Sequence, residues 1–443
     1  MLVGSVTCLD QIEKIAPWVD LVELRLDHFE IEAKPSCPVI FTLRKKEQGG
    51  VLEIDETTRL EKIEKYLELA PEYCDIEADT DPAFIERIAK KFPKVKWIGS
   101  YHNFNETPSD LGALLKTMEN PHFAIYKIAV QANSTPDLLQ LMIFAKESKA
   151  PLSVMSMGEY GQPSRIIAPI VGSLLNYAGL DEDPQLHRYS LKTLLGTFHY
   201  RQLSPDTLIY SLIGDPVEAS PGHLFHNSRF QHNAVYIKMR VGGEEAPEVL
   251  KLIRQLPFGG LSVTIPLKEL VSLHMDELTP AATAIGAVNT VIFREGRAIG
   301  ANTDAPGALN AIEKYTPVRE KRLAILGAGG TARAIAYEAM QRGALVSVFN
   351  RTTERAEALA EEFGCEGYAL ADLGSQPYDI LVNTIPPKSG EVPQIRPHAV
   401  VMDVVYHPKE TPLLAAAKKK GCRCIYGEEM FVEQALLQQK EWL

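Results

Sequence analysis

Short apolar runs recur along the first half of the chain, each followed by a polar turn and then by a stretch with helical spacing. That rhythm predicts a parallel α/β fold, because buried strands read as unbroken or alternating apolar runs and crossover helices repeat near 3.6 residues. Eight candidate strands follow: Leu2 to Thr7, Leu21 to Asp27, Val39 to Arg44, Cys74 to Asp79, Lys96 to His102, Ile125 to Val130, Leu152 to Met157, and Leu174 to Gly179. Eight strand and helix units in about 200 residues is the compact limit of a (β/α)₈ barrel, whose chemistry sits where the strands end. Polar residues at strand ends are therefore informative.

The rhythm stops near Thr197 to Thr207, a polar stretch containing proline, and a new apolar strand begins at Leu208-Ile209-Tyr210-Ser211-Leu212-Ile213-Gly214. This places a boundary at about Leu203, so residues 1–203 form the predicted barrel. The remainder divides into an α/β portion, 204–311, and a second one, 312–427, in which a strand runs straight into a glycine loop. The amphipathic closing helix, Glu428 to Trp442, lies in a segment, 428–443, expected to return to the 204–311 portion. A length of 443 residues agrees with several cores.

Composition narrows the partners. The hydrophobic share of 45% and charged share of 23% are those of a soluble globular protein, and no stretch of about 18 apolar residues suggests a membrane span. A formal net charge of −11 offers no general attraction to nucleic acid or anionic lipid, so small molecules are the expected partners. Six scattered cysteines without paired metal-ligand spacing, and the lack of a signal-peptide pattern at Met1 to Val6, point to a reducing cytoplasm and to no metal site. Cys422 and Cys424 suit one face of a short strand.

Glu23, Arg25 and Asp27 alternate with Val22, Leu24 and Leu26, so the charges share one face. In a closed barrel that face could be the interior mouth; a solvent-facing row would give the same alternation. Arg44 ends the next strand and precedes Gln48-Gly49-Gly50, a loop able to approach a ligand closely. Lys127 lies within the apolar run Ile125-Tyr126-Lys127-Ile128-Ala129-Val130, where burial disfavours the ammonium form. Such an amine can attack a ketone to form an imine, which acidifies the neighbouring carbon, and a histidine one strand away can move the protons. His102, ending the preceding strand, is the candidate. Taken singly, a strand lysine snorkels to solvent and a strand histidine is structural.

Across the first half these residues resemble type I 3-dehydroquinate dehydratase. The resemblance rests on Glu23-Leu24-Arg25-Leu26-Asp27, Asp75-Ile76-Glu77, Ser100-Tyr101-His102-Asn103-Phe104 with Thr107-Pro108, Lys127-Ile128-Ala129, and Ser156-Met157-Gly158 with Ser164-Arg165. It implies an imine between Lys127 and the substrate ketone, proton transfer by His102, and substrate contacts from Glu23, Arg25, Arg44 and Arg165, the last holding a carboxylate. The chain departs from the family at Gln48, where a glutamate is usual, and in the loop covering the substrate, of which Pro184-Gln185 is the nearest remnant. Gln185 is kept as a candidate substrate contact.

In the second half, Leu323-Ala324-Ile325-Leu326 leads into Gly327-Ala328-Gly329-Gly330-Thr331-Ala332, a GxGxxA loop before a helical stretch. The first glycine permits a tight turn, the second lets a pyrophosphate approach the backbone, and the small Ala332 lets helix and strand pack closely. The next strand, Leu345 to Phe349, ends at Asn350-Arg351-Thr352, with Arg355 beyond. An acidic residue there would bind a ribose hydroxyl; Asn350 and Arg351 suit a 2′-phosphate instead, so NADP(H) is expected rather than NAD(H). Upstream, Ser262-Val263-Thr264-Ile265-Pro266-Leu267-Lys268 delivers Lys268 to a strand end, and Asp304 follows Gly300-Ala301-Asn302-Thr303. A lysine beside a carboxylate can exchange a proton with a hydroxyl being oxidised.

From about Leu208 onward the chain resembles shikimate dehydrogenase. The matching pieces include Ile213-Gly214-Asp215-Pro216-Val217 with Ser220 and His226-Asn227, Gly286-Ala287-Val288-Asn289-Thr290, Asn302-Thr303-Asp304, Asp403-Val404-Val405-Tyr406, and Met430 with Gln434. The resemblance implies Lys268 and Asp304 as the catalytic pair, and Ser220, Thr264, Asn289, Gln434 and Tyr406 around the substrate. It departs at Gly222, where the family places a second serine, and at Ser262. The two resemblances together imply an α/β chain, a (β/α)₈ barrel followed by a two-part α/β dehydrogenase with a Rossmann NADP-binding domain. The implied partners are 3-dehydroquinate, 3-dehydroshikimate and shikimate, handled by a monomer or homodimer. The alternatives are a second half that also takes quinate, suggested by Gly222, and one half acting as a scaffold or ligand sensor, suggested by Gln48 and the altered loop.

Overall fold

The computed structural model of the chain describes residues 1–182, 187–231, 233–385, 392–405 and 408–443. The chain divides into two compact units, Met1–Phe258 and Gly259–Leu443. Among the described residues no helix is long and apolar enough to cross a membrane.

The first unit opens with eight parallel strands: β1 (Leu2–Val6), β2 (Leu21–Arg25), β3 (Val39–Thr42), β4 (Tyr73–Glu77), β5 (Lys96–Asn103), β6 (Phe123–Gln131), β7 (Leu152–Met157) and β8 (Asn176–Ala178). Their order is β7-β6-β5-β4-β3-β2-β1-β8, a sheet curled toward closure, with the seam between β7 and β8 bridged by Leu174 N to Leu152 O at 2.9 Å and Ser153 Oγ to Leu175 O at 2.8 Å. Crossover helices begin where aspartate or serine caps the first turn: Asp55 before Glu56–Leu67, Asp81 before Pro82–Lys91, Asp110 before Leu111–Met118 and Ser134 before Thr135–Glu147. The rhythm departs between β2 and β3, where Pro35 and Pro38 interrupt a short connection that forms no helix.

The inward-facing positions form layers. Val3, Leu21, Ile40, Tyr73, Ile98 and Ile125 make an apolar cluster at the entry ends of the strands. Two residues further along each strand stand Ser5, Glu23, Thr42, Asp75, Ser100 and Lys127. Because side chains alternate with period two, both sets point into the barrel, and the interior turns from apolar to charged toward the strand ends.

After the barrel, β9 (Leu208–Gly214) and β10 (Ala234–Arg240) pair in parallel, from Leu208 beside Ala234 to Gly214 beside Arg240. The helix Ala246–Ile253 packs on the barrel helix Thr135–Glu147. In the second unit, β11 (Phe258–Val263), β12 (Glu277–Leu278), β13 (Thr290–Arg294) and β14 (Arg297–Ala301) lie in the order β11-β13-β14-β12.

The last sheet comprises β15 (Arg322–Leu326), β16 (Leu345–Asn350), β17 (Glu366–Ala369), β18 (Ile380–Asn383), β19 (Val400–Asp403) and β20 (Arg423–Ile425), all parallel, in the order β17-β16-β15-β18-β19-β20. Counting from β15 this is the 3-2-1-4-5-6 arrangement of a dinucleotide-binding sheet, whose ligand crevice opens between the first and fourth strands. The closing helix Gly427–Trp442 lies along the helix Asp304–Glu313 and reaches β13, where Trp442 Nε1 donates to Val291 O at 3.0 Å.

Candidate active site

The charged layer of the barrel is a closed network around Lys127. Its Nζ is 2.9 Å from Asp75 Oδ2 and 3.5 Å from Glu23 Oε1, and it stands 4.1 Å over the ring of Tyr177. Arg44 takes the other oxygen of Asp75 at 2.8 Å and reaches Glu77 at 3.0 Å and Ser100 Oγ at 2.6 Å. Arg59 contacts Glu77 at 2.8 Å. Glu23 accepts from Ser5 Oγ at 2.6 Å and Thr42 Oγ1 at 3.0 Å. Three buried cations thus meet three buried carboxylates, the condition under which such groups remain charged away from water. Burial opposes the ionised form of Asp75, but Arg44 and Lys127 outweigh it and hold the carboxyl well below the usual range.

Arg165 stands outside that balance. It is buried, its Nη1 donates to Ser156 O at 3.1 Å, and its Nε has no partner among the described residues. Burial, then the nearby Arg188, lowers its guanidinium to about 10. The hydroxyls of Ser156 and Tyr177 are also buried without a hydrogen-bond partner among the described residues. A cation with no counter-charge and hydroxyls with no hydrogen bond among the described residues are what an anionic, hydroxylated substrate would satisfy.

His102 lies at the end of β5. Its backbone N–H donates to Gln48 Oε1 at 3.0 Å, and its Nδ1 is 3.3 Å from the same oxygen. Burial, Arg44 and Lys127 hold the imidazole well below its ordinary value, so it is neutral and able to accept a proton at neutral pH. Phe104 stacks beside it, ring centres 6.4 Å apart, and lines a cavity of about 430 Å³ at the strand ends with Gln131, Met157 and Tyr160. Arg25 forks onto Asp27 at 2.9 and 2.8 Å and donates to Gly49 O at 2.9 Å, which anchors the Gln48 loop. Gln185 lies outside the described residues.

Of the residues expected from sequence, Lys127, Glu23 and Arg44 meet in one network through Asp75, Arg25 and His102 both hold the Gln48–Gly49 loop, and Arg165 binds Ser156 and Ser164; they bring others with them. Asp75, Glu77, Ser100 and Tyr177 received no individual role from sequence, although Asp75 and Glu77 show the same alternation as Glu23 and Arg25. Arg59 sits on a helix, where no strand-end pattern marks it.

In the first unit's later portion, Ser220 is half-buried and its Oγ accepts from Gly222 N at 3.3 Å. In the second unit, Lys268 Nζ and Asp304 Oδ2 are 2.5 Å apart. Lys268 begins the helix Lys268–Ser272 and Asp304 begins Asp304–Glu313, where a carboxylate also favours the helix dipole. Around them Asn289 Oδ1 accepts from Thr303 N at 2.7 Å, Asn289 Nδ2 donates to Thr303 Oγ1 at 3.0 Å and reaches Gln434 Oε1 at 3.5 Å, and Val288 N donates to Lys268 O at 2.9 Å. Gln438, which the sequence did not single out, donates to Asn289 O at 3.1 Å and accepts from Ser262 at 2.8 Å. Thr264 is half-buried at the end of β11; Tyr406 lies outside the described residues.

The glycine loop leaves β15 at the sheet's crevice. Gly327 has φ +105, and a Cβ there would meet Thr384 Oγ1 at 2.5 Å, so only glycine fits. Among the described residues, beyond their own chain neighbours and the helix's own backbone, nothing lies within 4 Å of where Cβ atoms on Gly329 and Gly330 would stand at the head of the helix Gly330–Gln341. Ala328 and Thr331 are half-buried, and Ala332 is buried against the sheet. At the end of β16, Asn350 Nδ2 donates to Thr352 O at 3.0 Å, while Arg351 and Arg355 are exposed. These features fit a dinucleotide carrying an extra phosphate.

Comparisons with known proteins follow the same division. The family model for type I 3-dehydroquinase matches residues 6–204, that for the shikimate dehydrogenase substrate binding domain matches 212–291, and that for shikimate / quinate 5-dehydrogenase matches 310–385. Shikimate biosynthesis protein AroDE of Chlamydia pneumoniae is 36% identical over 449 residues, spanning 98% of this chain and 92% of that protein. The chloroplastic bifunctional 3-dehydroquinate dehydratase/shikimate dehydrogenase of Arabidopsis thaliana is 35% identical, spanning 94% of this chain and 76% of that protein. Among solved structures, a shikimate dehydrogenase in complex with NADP+ is 36% identical and covers 54% of this chain and 90% of its own, with a TM-score of 0.50.

Proposed function

The chain belongs to the family of fused 3-dehydroquinate dehydratases and shikimate dehydrogenases, and from that premise we infer how its own residues carry the two consecutive reactions. The barrel dehydrates 3-dehydroquinate to 3-dehydroshikimate, and the second half reduces that product to shikimate. The observation that carries the reading is the buried Lys127 amine, held between Asp75 and Glu23 in a barrel that also buries the neutral His102 and an Arg165 whose Nε has no partner among the described residues.

Arg165 binds the substrate carboxylate and sets the ring over Lys127. Lys127 gives its extra proton by way of His102 to the ketone oxygen as its amine adds to the ketone carbon, and that oxygen takes a second proton from the nitrogen and leaves as water, leaving a cationic imine. His102 takes a proton from the carbon next to the imine carbon, and the electron pair forms a C=C bond as the hydroxyl on the following carbon departs. His102 returns its proton to that hydroxyl, which leaves as water; a further water hydrolyses the imine and restores Lys127. Glu23, Arg25 and Arg44 keep the interior charge arrangement through these steps.

In the second half, NADPH supplies the hydride. Gly327, Ala328, Gly329, Gly330, Thr331 and Ala332 would hold its pyrophosphate, and Asn350, Arg351, Thr352 and Arg355 would hold the 2′-phosphate. The Lys268–Asp304 pair gives a proton to the oxygen formed on the reduced carbon. Ser220, Thr264, Asn289, Gln434 and Tyr406 are assigned to the substrate's carboxylate and hydroxyls.

We propose the domain division 1–203, 204–311 and 312–427, with 428–443 joined to the second, supported by the spans of the matching family models. A cytoplasmic monomer or homodimer is the setting we propose, supported by six free thiols. Supplying 3-dehydroquinate and NADPH together tests the whole reading: shikimate is the expected product, and accumulation of 3-dehydroshikimate or unchanged 3-dehydroquinate identifies the half that fails.

A further inference from the structure

Arg240, the last residue of β10, divides one guanidinium between two loops. Its Nε donates to Asp215 Oδ1 at 3.0 Å, and its Nη1 donates to Glu159 Oε1 at 2.7 Å. The same group lies 5.9 Å from the ring centre of Tyr160. Its carbonyl accepts from Thr135 Oγ1 at the head of the helix Thr135–Glu147, and further along that surface Lys146 Nζ donates to Gln255 O at 2.6 Å. The barrel and the β9–β10 layer thus meet along one face of the first unit, with Arg240 at its rim.

Each loop it touches leads to a reacting site. Gly158, with φ +79, turns the chain out of β7 so tightly that a Cβ there would meet Gln131 Nε2 at 2.0 Å. Glu159 and Tyr160 come next and line the cavity at the barrel's strand ends together with Phe104, the residue stacked on His102. Asp215 follows β9 directly and begins the loop that runs to Ser220.

We propose that Arg240 is a positioning residue for the dehydratase, holding the Glu159–Tyr160 side of the barrel mouth from the dehydrogenase half of the chain. The proposal rests on the barrel's reading as the dehydratase. Arg240 and Glu159 side chains are 34% and 44% exposed, so neither ion pair contributes much to stability. What one fork shared by two carboxylates supplies is geometry, because the guanidinium fixes both loops at once. Without it, Glu159 and Tyr160 are free to leave the entrance while Lys127, Asp75 and His102 keep their contacts. Substrate capture weakens and the chemical steps do not.

Steady-state dehydratase kinetics on the full chain test this. Arg240→Gln and Glu159→Gln should each raise the KM for 3-dehydroquinate about five-fold, the upper end for an exposed pair, with kcat within about two-fold. Arg240→Lys, which keeps the charge but loses the fork, should fall between them and the natural enzyme. The double variant should be no worse than the worse single one, since both remove one contact. Borohydride trapping of the Lys127 adduct should succeed in every variant; its failure in the natural enzyme would count against the imine and not against Arg240. A KM unchanged in Arg240→Gln, additive effects in the double variant, or a loss confined to kcat would overturn the proposal.

Discussion

Lys127 Nζ lies 2.9 Å from one oxygen of Asp75, and the other oxygen of that carboxylate holds Arg44 at 2.8 Å. A single buried anion therefore restrains both the proposed nucleophile and the arginine beneath it. Replacing Asp75 by Asn leaves two buried cations short of a partner, which costs about 3–5 kcal/mol. The acid dependence has a definite sign. The native carboxyl of Asp75 titrates below its unfolded value, so its stabilisation is present at neutral pH and lost as pH falls through the ordinary carboxylate range toward the native value. Thermal melts of the natural chain and of Asp75→Asn should differ by a constant amount near pH 7 and begin to converge only once the pH falls below about 4. In Lys127→Met, borohydride with 3-dehydroquinate should give no adduct and dehydratase turnover should vanish. Retained shikimate dehydrogenase activity in that variant reports that the second half remains folded.

Much of this network was legible because a barrel strand writes its layers into the sequence. Val3 then Ser5, Leu21 then Glu23, Ile40 then Thr42, Tyr73 then Asp75, Ile98 then Ser100, and Ile125 then Lys127 all step from apolar to polar two residues on. The pattern reveals which side chains face inward, but not their partners. Nothing in the spacing announces that Arg44 is enclosed by Asp75, Glu77 and Ser100, or that Arg59 arrives from a helix to meet Glu77, since these contacts depend on the shear between strands. In the second half the glycine loop was legible through its local turn requirement. The hydrogen bonds from Gln438 to Asn289 were not, because they join positions remote in sequence.

His102 and Gln48 set the pH range of the first reaction. Burial and two neighbouring cations hold the imidazole below its usual value, so the acid limb of dehydratase kcat/KM should lie below about 6.5. A carboxylate in place of the Gln48 amide, 3.3 Å from Nδ1, would favour the imidazolium. Gln48→Glu should therefore move the acid limb upward, by about 1 pH unit or more. An unmoved limb would mean that His102 is not the titrating group. His102→Ala should lower kcat by about 10²–10⁴-fold.

Lys268 and Asp304 make a proton route only if they act together. Lys268→Ala should lower the kcat of shikimate oxidation by about 10²–10⁴-fold, with NADPH binding, followed by nicotinamide fluorescence, unchanged. Because both residues serve the same proton, the Lys268→Ala, Asp304→Asn double variant should be little slower than the worse single one. Multiplicative losses would assign the two residues to separate steps.

Gly222 decides how much room lies beside Ser220. A Cβ at Gly222 would stand 3.2 Å from Tyr236 Cε1, 3.3 Å from its hydroxyl and 3.4 Å from Ser220 Oγ. Tyr236 is buried and stacked on His226 with ring centres 4.3 Å apart, so it can give way by little. The glycine thus keeps open a space that a serine would fill at some strain, about 1–3 kcal/mol. If that space admits a bulkier acid, the natural enzyme should oxidise quinate as well as shikimate with NADP+. Gly222→Ser should then raise the shikimate-to-quinate ratio of kcat/KM by about ten-fold, the scale of one added hydrogen bond and one lost contact. Its melting temperature should fall at the same time. A ratio that stays constant while the melting temperature falls would show that the glycine beside Ser220 serves packing and leaves substrate choice to other residues.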